Sequence, residues 1–175
     1  MPFLQKKVTK QLIIMKMGQS TLNFLYIEDD KGAIKLMKIY LDMIKSFKSK
    51  FDSSYYLKDG LEKLKDQKFD ILFLDLFLPD DLESPEENVQ LIQEHFPDQS
   101  IIVISSYEDN KYASRLIDMG VADYLYKEEI DAERLERAIL FALSREGKGI
   151  ENDAEPNHRI TDDAPPSHSK PNKND

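Results

Sequence analysis

The ten residues from Ile71 to Asp80 read ILFLDLFLPD, and this stretch decides how the whole chain is interpreted. Between Ile71 and Leu78 every residue is apolar except Asp75. A short, continuous apolar run is typical of a strand that is buried on both faces of a sheet. Because an isolated ionised carboxylate is very costly in a protein interior, Asp75 is expected at the end of this strand, where it is paired or binds a ligand.

Other apolar runs alternate with segments of helical periodicity along the chain. Strands are predicted at 22–27, 51–56, 69–75, 101–104 and 122–126, and helices at about 33–44, 61–64, 85–96, 110–119 and 131–145. Strands of almost continuous apolar character that alternate with helices predict a parallel sheet covered by helices on both faces. The predicted fold class is therefore α/β, with a doubly wound, five-stranded parallel sheet.

Capping and turn residues fit the same pattern. The quartet SPEE at 84–87 predicts a capping box, with Ser84 as the N-cap and Pro85 at the first helical position. Asp30 is expected at a helix N-terminus, where its charge favours the helix dipole. The pair at 59–60, Asp-Gly, predicts a turn or the entry to a helix, and Gly120 predicts a helix C-terminus.

Polar residues whose side chains can bind ligands or react lie at the ends of four predicted strands. They are Glu28 and Asp29 after the first strand, Asp75 at the end of the third, Ser105 after the fourth and Lys127 after the fifth. Ligands of open α/β sheets bind outside the carboxyl ends of the strands, so we expect these side chains to meet. Clustered carboxylates repel one another unless a cation offsets them, and such oxygen ligands suit Mg²⁺. A carboxylate beside this metal can act as a nucleophile and form an acyl phosphate.

Composition and charge exclude several classes of function. The chain of 175 residues has a formal net charge of −9 and a pI of about 4.9, which disfavours a nucleic-acid-binding surface. It has no cysteine, and so no disulfide, thiol nucleophile or thiolate metal site. No apolar run approaches the ~18 residues of a membrane span. We therefore expect a cytoplasmic protein without a membrane or nucleic-acid partner.

The chain divides into three predicted segments. Residues 1–20 show no clear period and are expected to form an N-terminal arm; Met15 and Met17 leave open whether Met1 is the native start. Residues 21–147 are predicted to fold as one domain. Residues 148–175 contain only Ile150 and Ile160 as large apolar residues, too few to offset the entropy lost on ordering. This tail is predicted to be disordered, and no separate output domain is expected.

From about Leu22 to Arg145 the chain resembles the receiver domain of two-component response regulators. The matching features are the acidic pair after the first strand, the Asp-x-x-x-Pro of DLFLP, the hydroxyl after the fourth strand, the aromatic residue in the fifth strand and the lysine that ends it. The spacings of 30 residues from Asp75 to Ser105 and 22 from Ser105 to Lys127 also look like those of the family. The resemblance implies a flavodoxin-like (βα)5 receiver fold.

The same resemblance implies a role for each matched residue. Asp75 would accept the phosphoryl group, and Ser105 and Lys127 would contact it. Tyr124 would be the switch aromatic, whose rotamer follows the position of Ser105. The implied Mg²⁺ ligands are Glu28, Asp29, Asp75 and the backbone carbonyl of Phe77.

The resemblance also implies partners. A histidine kinase or a histidine phosphotransfer protein would donate the phosphoryl group. A stand-alone receiver would then signal by docking to a downstream protein, through the face formed by the fourth helix, fifth strand and fifth helix. An intermediate role in a phosphorelay is equally open. Such a protein is a phosphoacceptor rather than an enzyme, with at most self-catalysed phosphorylation and dephosphorylation.

Three features depart from the family's pattern. The turn after Pro79 lacks the glycine often seen there and uses the Ser84 capping box instead. The acidic pair is Glu28–Asp29 rather than Asp-Asp, which keeps the charge but lengthens one side chain. Glu128 follows Lys127 where the family usually has proline, so the cis peptide often found there is not expected.

Other functions fit the sequence less well. A Mg²⁺-dependent phosphatase or phosphotransferase with an aspartate nucleophile needs a second acid two residues after that nucleophile, and this chain has Phe77 there. A nucleotide or flavin binder needs a glycine-rich phosphate loop, which does not follow the first strand. An inactive scaffold is disfavoured because the set of polar strand ends is intact.

Overall fold

Strands and helices alternate throughout the part of the chain that the computed structural model describes, residues 21–79 and 84–145. The strands are β1 (Thr21–Ile27), β2 (Lys48–Ser54), β3 (Ile71–Asp75), β4 (Ile101–Ser105) and β5 (Asp123–Tyr126). The helices are α1 (Lys31–Met43), α2 (Leu57–Asp66), α3 (Pro85–His95), α4 (Asn110–Asp118) and α5 (Ala132–Arg145), and a 3₁₀ turn at Lys127–Glu129 precedes α5. The predicted arm and tail lie outside these residues.

The five described strands form one parallel sheet in the order β2-β1-β3-β4-β5. The predicted α/β class and doubly wound parallel sheet are therefore confirmed. Strand β3 is central, and its alternate side chains face opposite layers: Ile71 and Phe73 on one side, Leu72 and Leu74 on the other, all with 0% exposure. Burial on both faces explains why this strand reads as a continuous apolar run.

Helices α1 and α5 cover one face of the sheet, and α2, α3 and α4 cover the other. The first layer contributes Met37, Leu41, Leu135 and Ile139 to the core, and the second contributes Leu57, Leu64, Val89, Ile92 and Leu116. Strand β2 lies on one side of β1 and the later strands lie on the other, so the strand order reverses between β1 and β3, where a crevice is expected at the carboxyl ends of the strands. Within the two described ranges, no helix has both the length and the apolar character needed to cross a membrane.

Among the five described strands, the bounds of β2 differ most from the prediction. The strand was expected at 51–56 and runs from Lys48 to Ser54. It lies at the edge of the sheet, where Lys48 and Lys50 are exposed and only Ser54 is buried, so its sequence has no clear apolar limits. Lysines on an edge strand also hinder pairing with a second sheet.

Helix ends follow the predicted capping residues closely. The Oδ1 of Asp30 accepts a hydrogen bond of 2.8 Å from the Ala33 N–H, so α1 begins at Lys31, two residues before the predicted start. The Oγ of Ser84 accepts from the Glu87 N–H at 3.3 Å, as expected of the N-cap in a capping box. Gly120 has a φ of +99° and follows the end of α4, which confirms it as a helix C-terminal residue.

Gly60 lies in the first turn of α2, so the helix-entry alternative for the Asp-Gly pair is correct. The glycine lets the helix backbone approach β1 closely. A Cβ atom at this position would lie 2.3 Å from Ile27 Cδ1 and 2.7 Å from Ile27 Cγ1, which are distances that real contacts do not reach. Close packing therefore requires glycine here.

Replacing Gly60 with alanine tests this packing. Alanine gains up to ~1 kcal/mol of helix propensity, but overpacking against the buried Ile27 is expected to outweigh this gain and lower the free energy of unfolding by about 1–2 kcal/mol. Urea denaturation followed by circular dichroism measures the difference. In an Ile27→Ala background the colliding atoms are absent, so Gly60→Ala is expected to become neutral or stabilising. An equal loss in both backgrounds would contradict the packing argument.

Candidate functional site

The polar strand ends meet at the carboxyl edge of the sheet. Glu28 and Asp29 directly follow β1, Asp75 ends β3, Ser105 ends β4 and Lys127 directly follows β5. Glu28, Asp29 and Asp75 each offer a carboxylate oxygen, and these three oxygens lie within 4.8 Å of one another. We call Glu28, Asp29, Asp75 and Lys127 the acidic pocket. The structure thus brings together the predicted carboxylates and the predicted lysine.

Asp75 is a nearly buried carboxylate, with 5% exposure. Its Oδ1 accepts a 2.9 Å hydrogen bond from the Leu76 N–H, and its Oδ2 lies 3.3 Å from Lys127 Nζ. Burial and the charge of Glu28 raise the pKa of Asp75 to about 6, although the ammonium of Lys127 acts in the opposite direction. A carboxylate with this pKa is ionised at neutral pH, and a further cation would stabilise its ionised form strongly.

Glu28 is fully buried, and both of its oxygens have partners. Its Oε2 accepts a 2.6 Å hydrogen bond from the Tyr26 hydroxyl and a second of 2.6 Å from Lys127 Nζ, while Oε1 accepts from the Asp30 N–H at 3.1 Å. Asp29, by contrast, is exposed. The two acids of the pair therefore differ in setting: one is fixed inside the protein and the other faces solvent.

Tyr26 is a contributor to the pocket that the sequence interpretation missed. It was assigned only to a buried strand, although it lies two residues before Glu28 and so shares its face of β1. Burial, together with the charge of Glu28 and the hydrogen bond to it, raises the pKa of the Tyr26 hydroxyl, which therefore stays protonated and acts as a donor. A tyrosine two residues before the acid was the available signal.

Lys127 is the cation of the pocket. Burial alone lowers the pKa of its ammonium, but the hydrogen bond to Glu28 and the charges of Asp75 and Glu28 outweigh burial, so the pKa is raised. The residue opens the 3₁₀ turn at Lys127–Glu129, and the peptide bond to Glu128 is trans, as predicted. Lys127 thus stays charged and close to both buried carboxylates.

Ser105 and Tyr124 are connected through the backbone of Tyr107. The Oγ of Ser105, which is fully buried, accepts from the Tyr107 N–H at 3.1 Å. The Tyr124 hydroxyl donates to the Tyr107 carbonyl at 2.6 Å, and Tyr124 is 9% exposed. Asp75 is paired with Ile104 in the sheet register, so Ser105 stands one residue beyond Asp75 on the neighbouring strand. One peptide segment therefore joins the hydroxyl after β4 to the aromatic residue of β5.

Phe77 lies in the loop after β3. Its side chain is 56% exposed, and its ring meets the edge of the Tyr107 ring with centroids 6.2 Å apart. The predicted use of its backbone carbonyl as a metal ligand stays a prediction.

The donor set of the acidic pocket fits Mg²⁺. Hard cations of this kind take carboxylate and carbonyl oxygens, and three carboxylates converge here against a single ammonium. The buried Asp75, with its raised pKa, is the group that a divalent cation would stabilise most. Glu28, Asp29 and Asp75 are the side chains that would hold it.

The fold and the pocket define a doubly wound α/β protein with an acidic site at the carboxyl edge of its sheet. The sequence profile of the response regulator receiver domain matches residues 24–140, about two thirds of the chain. The chain therefore belongs to the response regulator receiver domain family of two-component signalling. Receiver domains are phosphoacceptors that histidine kinases phosphorylate, and they typically bind Mg²⁺ in an acidic pocket.

Known proteins support this placement. The transcriptional regulatory protein CitT of Bacillus subtilis is 26% identical over 113 residues, which are 65% of this chain and 48% of CitT. The chain thus spans about half the length of this relative.

Solved structures agree on the fold. A receiver domain protein from Clostridium thermocellum superposes with a TM-score of 0.61 at 20% identity, covering 72% of this chain and 97% of that one. The receiver domain of a LuxO repressor protein from Vibrio parahaemolyticus gives 0.63 at 24% identity, covering 73% and 94%. The RcsB response regulator of Salmonella typhimurium gives 0.62 at 20% identity, covering 72% and 62%. The receiver fold is therefore confirmed.

The raised pKa of Asp75 predicts a pH-dependent effect of Asp75→Asn on stability. The folded-state pKa of about 6 lies above the unfolded value of about 3.9, so ionisation of Asp75 costs more in the folded state, and stability is lost as the pH rises through 6. Without divalent cations, the free energy of unfolding of the uncharged variant is expected to exceed that of wild type by roughly 1–3 kcal/mol at pH 8, and the difference is expected to shrink as the pH falls from about 6 to about 4.

Urea unfolding between pH 4 and 8 in the presence of EDTA measures this difference. Asp98→Asn, at an exposed position between α3 and β4, is the matched control and is expected to follow the wild-type curve. A variant that is less stable than wild type at pH 8, or a stability difference that is constant across the pH range, would contradict the raised pKa of Asp75.

Proposed function

We propose that this chain is a single-domain response regulator whose Asp75 accepts a phosphoryl group from a histidine kinase or a histidine phosphotransfer protein. One observation carries the proposal: a carboxylate with 5% exposure ends the central strand beside the carboxylate of Glu28 and the ammonium of Lys127. A buried charge at this position has no structural benefit unless it serves a ligand or a reaction. Membership of the receiver family supplies the reaction.

The proposed step is a nucleophilic displacement at phosphorus. A bond forms between a carboxylate oxygen of Asp75 and the phosphorus atom, while the bond from phosphorus to the imidazole nitrogen of the donor's phosphohistidine breaks. The electron pair of the broken bond returns to that nitrogen, which takes up a proton from solvent. The product on this chain is an acyl phosphate at Asp75.

The negative charge of the transferring phosphoryl group would be offset by the cations of the acidic pocket. Lys127 lies 3.3 Å from Asp75 Oδ2 and is positioned to contact the phosphoryl oxygens. We propose Glu28, Asp29, Asp75 and the carbonyl of Phe77 as ligands of Mg²⁺, which supplies electrostatic stabilisation of the phosphoryl oxygens when bound. Ser105 would donate its hydroxyl hydrogen to one of these oxygens.

The contacts of Tyr107 support Tyr124 as the switch residue. A shift of Ser105 toward the phosphoryl group would act on the Tyr107 N–H that now donates to its Oγ. The carbonyl of the same residue accepts the Tyr124 hydroxyl, so the loop and the aromatic side chain would respond together. We propose the face formed by α4, β5 and α5 as the docking face. Tyr124 lies in β5 and so belongs to this face.

We propose that the output is docking to a downstream protein. CitT is named as a transcriptional regulator, and RcsB has been solved with DNA, but the similarity covers only 48% of CitT and 63% of that RcsB chain. The net charge of −9 supports a protein partner, because nucleic-acid binding depends on basic side chains that neutralise phosphates. A cytoplasmic location is part of the same proposal.

Phosphatase chemistry on small molecules is the alternative, and the site disfavours it. Such an enzyme needs a general acid two residues after the nucleophile. Phe77 occupies that position, and its exposed side chain, which packs in a T-shaped pair with Tyr107, has no proton to supply.

Phosphorylation by a small acyl-phosphate donor tests the proposal. With Mg²⁺ present, intact-mass measurement is expected to show a single phosphoryl addition, which EDTA suppresses and Asp75→Asn abolishes. Asp98→Asn is the matched control and is expected to be labelled at the wild-type rate. Transfer from a phosphorylated histidine phosphotransfer protein would extend the result to the natural donor class.

Two outcomes would overturn the proposal. One is no addition under any of these conditions, and the other is an addition that survives Asp75→Asn. Steady turnover of small phosphorylated substrates, lost in the same variant, would favour the phosphatase alternative instead.

A further inference from the structure

Tyr26 places a polar group in an otherwise apolar layer of the core. The residue is 1% exposed, and its ring meets Phe73 edge to face, with centroids 6.2 Å apart and an interplanar angle of 85°. Its hydroxyl donates a 2.6 Å hydrogen bond to Glu28 Oε2. A buried tyrosine hydroxyl needs such a partner, but the partner here is a residue of the acidic pocket.

The contacts of Glu28 are unequal at its two oxygens. Oε2 is occupied twice, by the Tyr26 hydroxyl and by Lys127 Nζ, each at 2.6 Å. Oε1 accepts one hydrogen bond, from the Asp30 N–H at 3.1 Å. Oε1 is therefore the oxygen with capacity left for a cation.

Glutamate has one more rotatable bond than aspartate, so a glutamate ligand loses more conformational freedom when it binds a metal. We propose that Tyr26 is a positioning residue for the cation site: its hydroxyl holds the long Glu28 side chain in one rotamer, with Oε1 presented to the cation. This inference rests on the proposed function. In it, Tyr26 enables glutamate to act as a cation ligand at the position where the family pattern has aspartate.

The arrangement also has a consequence for phosphorylation. Lys127 holds the same Oε2 and lies 3.3 Å from Asp75, so a phosphoryl group on Asp75 draws its ammonium away from Glu28. Tyr26 is uncharged and fixed by its ring packing, so its hydrogen bond to Oε2 persists in that state. Glu28 then keeps its orientation when its ionic partner shifts.

Mg²⁺ affinity is the measurement that tests the role of Tyr26. Isothermal titration calorimetry with Mg²⁺ on the full chain is expected to give a Kd about fivefold higher for Tyr26→Phe, which removes the hydroxyl and keeps the ring. Tyr40→Phe is the matched control: Tyr40 is a half-buried tyrosine of α1 packed against the same core layer, and its variant is expected to bind like wild type. Thermal unfolding in EDTA shows separately whether each variant is folded.

A double-mutant cycle makes the test specific to Glu28. The shortened side chain of Glu28→Asp cannot reach the Tyr26 hydroxyl, so Tyr26→Phe is expected to change the Mg²⁺ Kd by less than about twofold in that background. An unchanged Kd for Tyr26→Phe, with or without a lower melting temperature, would overturn the inference and leave the proposed function standing. An equal rise in Kd in both backgrounds would also overturn it. Failure of the wild-type chain to bind Mg²⁺ or to be phosphorylated on Asp75 would overturn the proposed function itself.

Discussion

Lys127 Nζ lies 2.6 Å from Glu28 Oε2 and 3.3 Å from Asp75 Oδ2, in a place where both carboxylates are almost wholly shielded from water. Removing a carboxylate from water costs several kcal/mol even after the protein relaxes, so neither acid would be stable there alone. One ammonium offsets one of the two charges. The remaining negative charge, with exposed Asp29 beside it, gives the pocket a donor set that favours a bound cation.

The parallel sheet is what allows this arrangement. All five described strands run in the same direction, so their carboxyl ends deliver polar residues to one edge while their apolar bodies fill both core layers. The register between β3 and β4 then sets Ser105 one residue beyond Asp75, and the loop that follows carries Tyr107. Helices α1 and α5 seal the layer that contains Tyr26. The positions of the polar side chains of the site are therefore set by the residues at which the strands end.

Much of this could be predicted from the sequence because the signals are local. Continuous apolar runs identify buried strands such as β3, and a carboxylate or lysine after such a run must lie at an edge of the sheet. The edge strand β2 could not be bounded, because a half-exposed strand has no apolar limits. The hydrogen bond from Tyr26 to Glu28 depends on side-chain rotamers, and the two hydrogen bonds of the Tyr107 backbone depend on the path of a loop. No short sequence motif specifies either. The close approach at Gly60 depends on how α2 packs on β1, and the sequence shows only that a glycine is present.

The hydrogen bond between Tyr26 and Glu28 also constrains how this sequence can diverge. A change of Glu28 to aspartate alone leaves a buried hydroxyl without its acceptor, and a change of Tyr26 to an apolar residue alone removes one of the donors to a buried glutamate; each costs about 1–3 kcal/mol. Tyrosine with glutamate, or an apolar residue with aspartate, leaves no hydrogen-bond partner missing between the two positions, whereas either mixed combination does. The two positions are therefore expected to be inherited as a pair, and homologues in transition between the two acidic pairs would have to pass through a less stable intermediate.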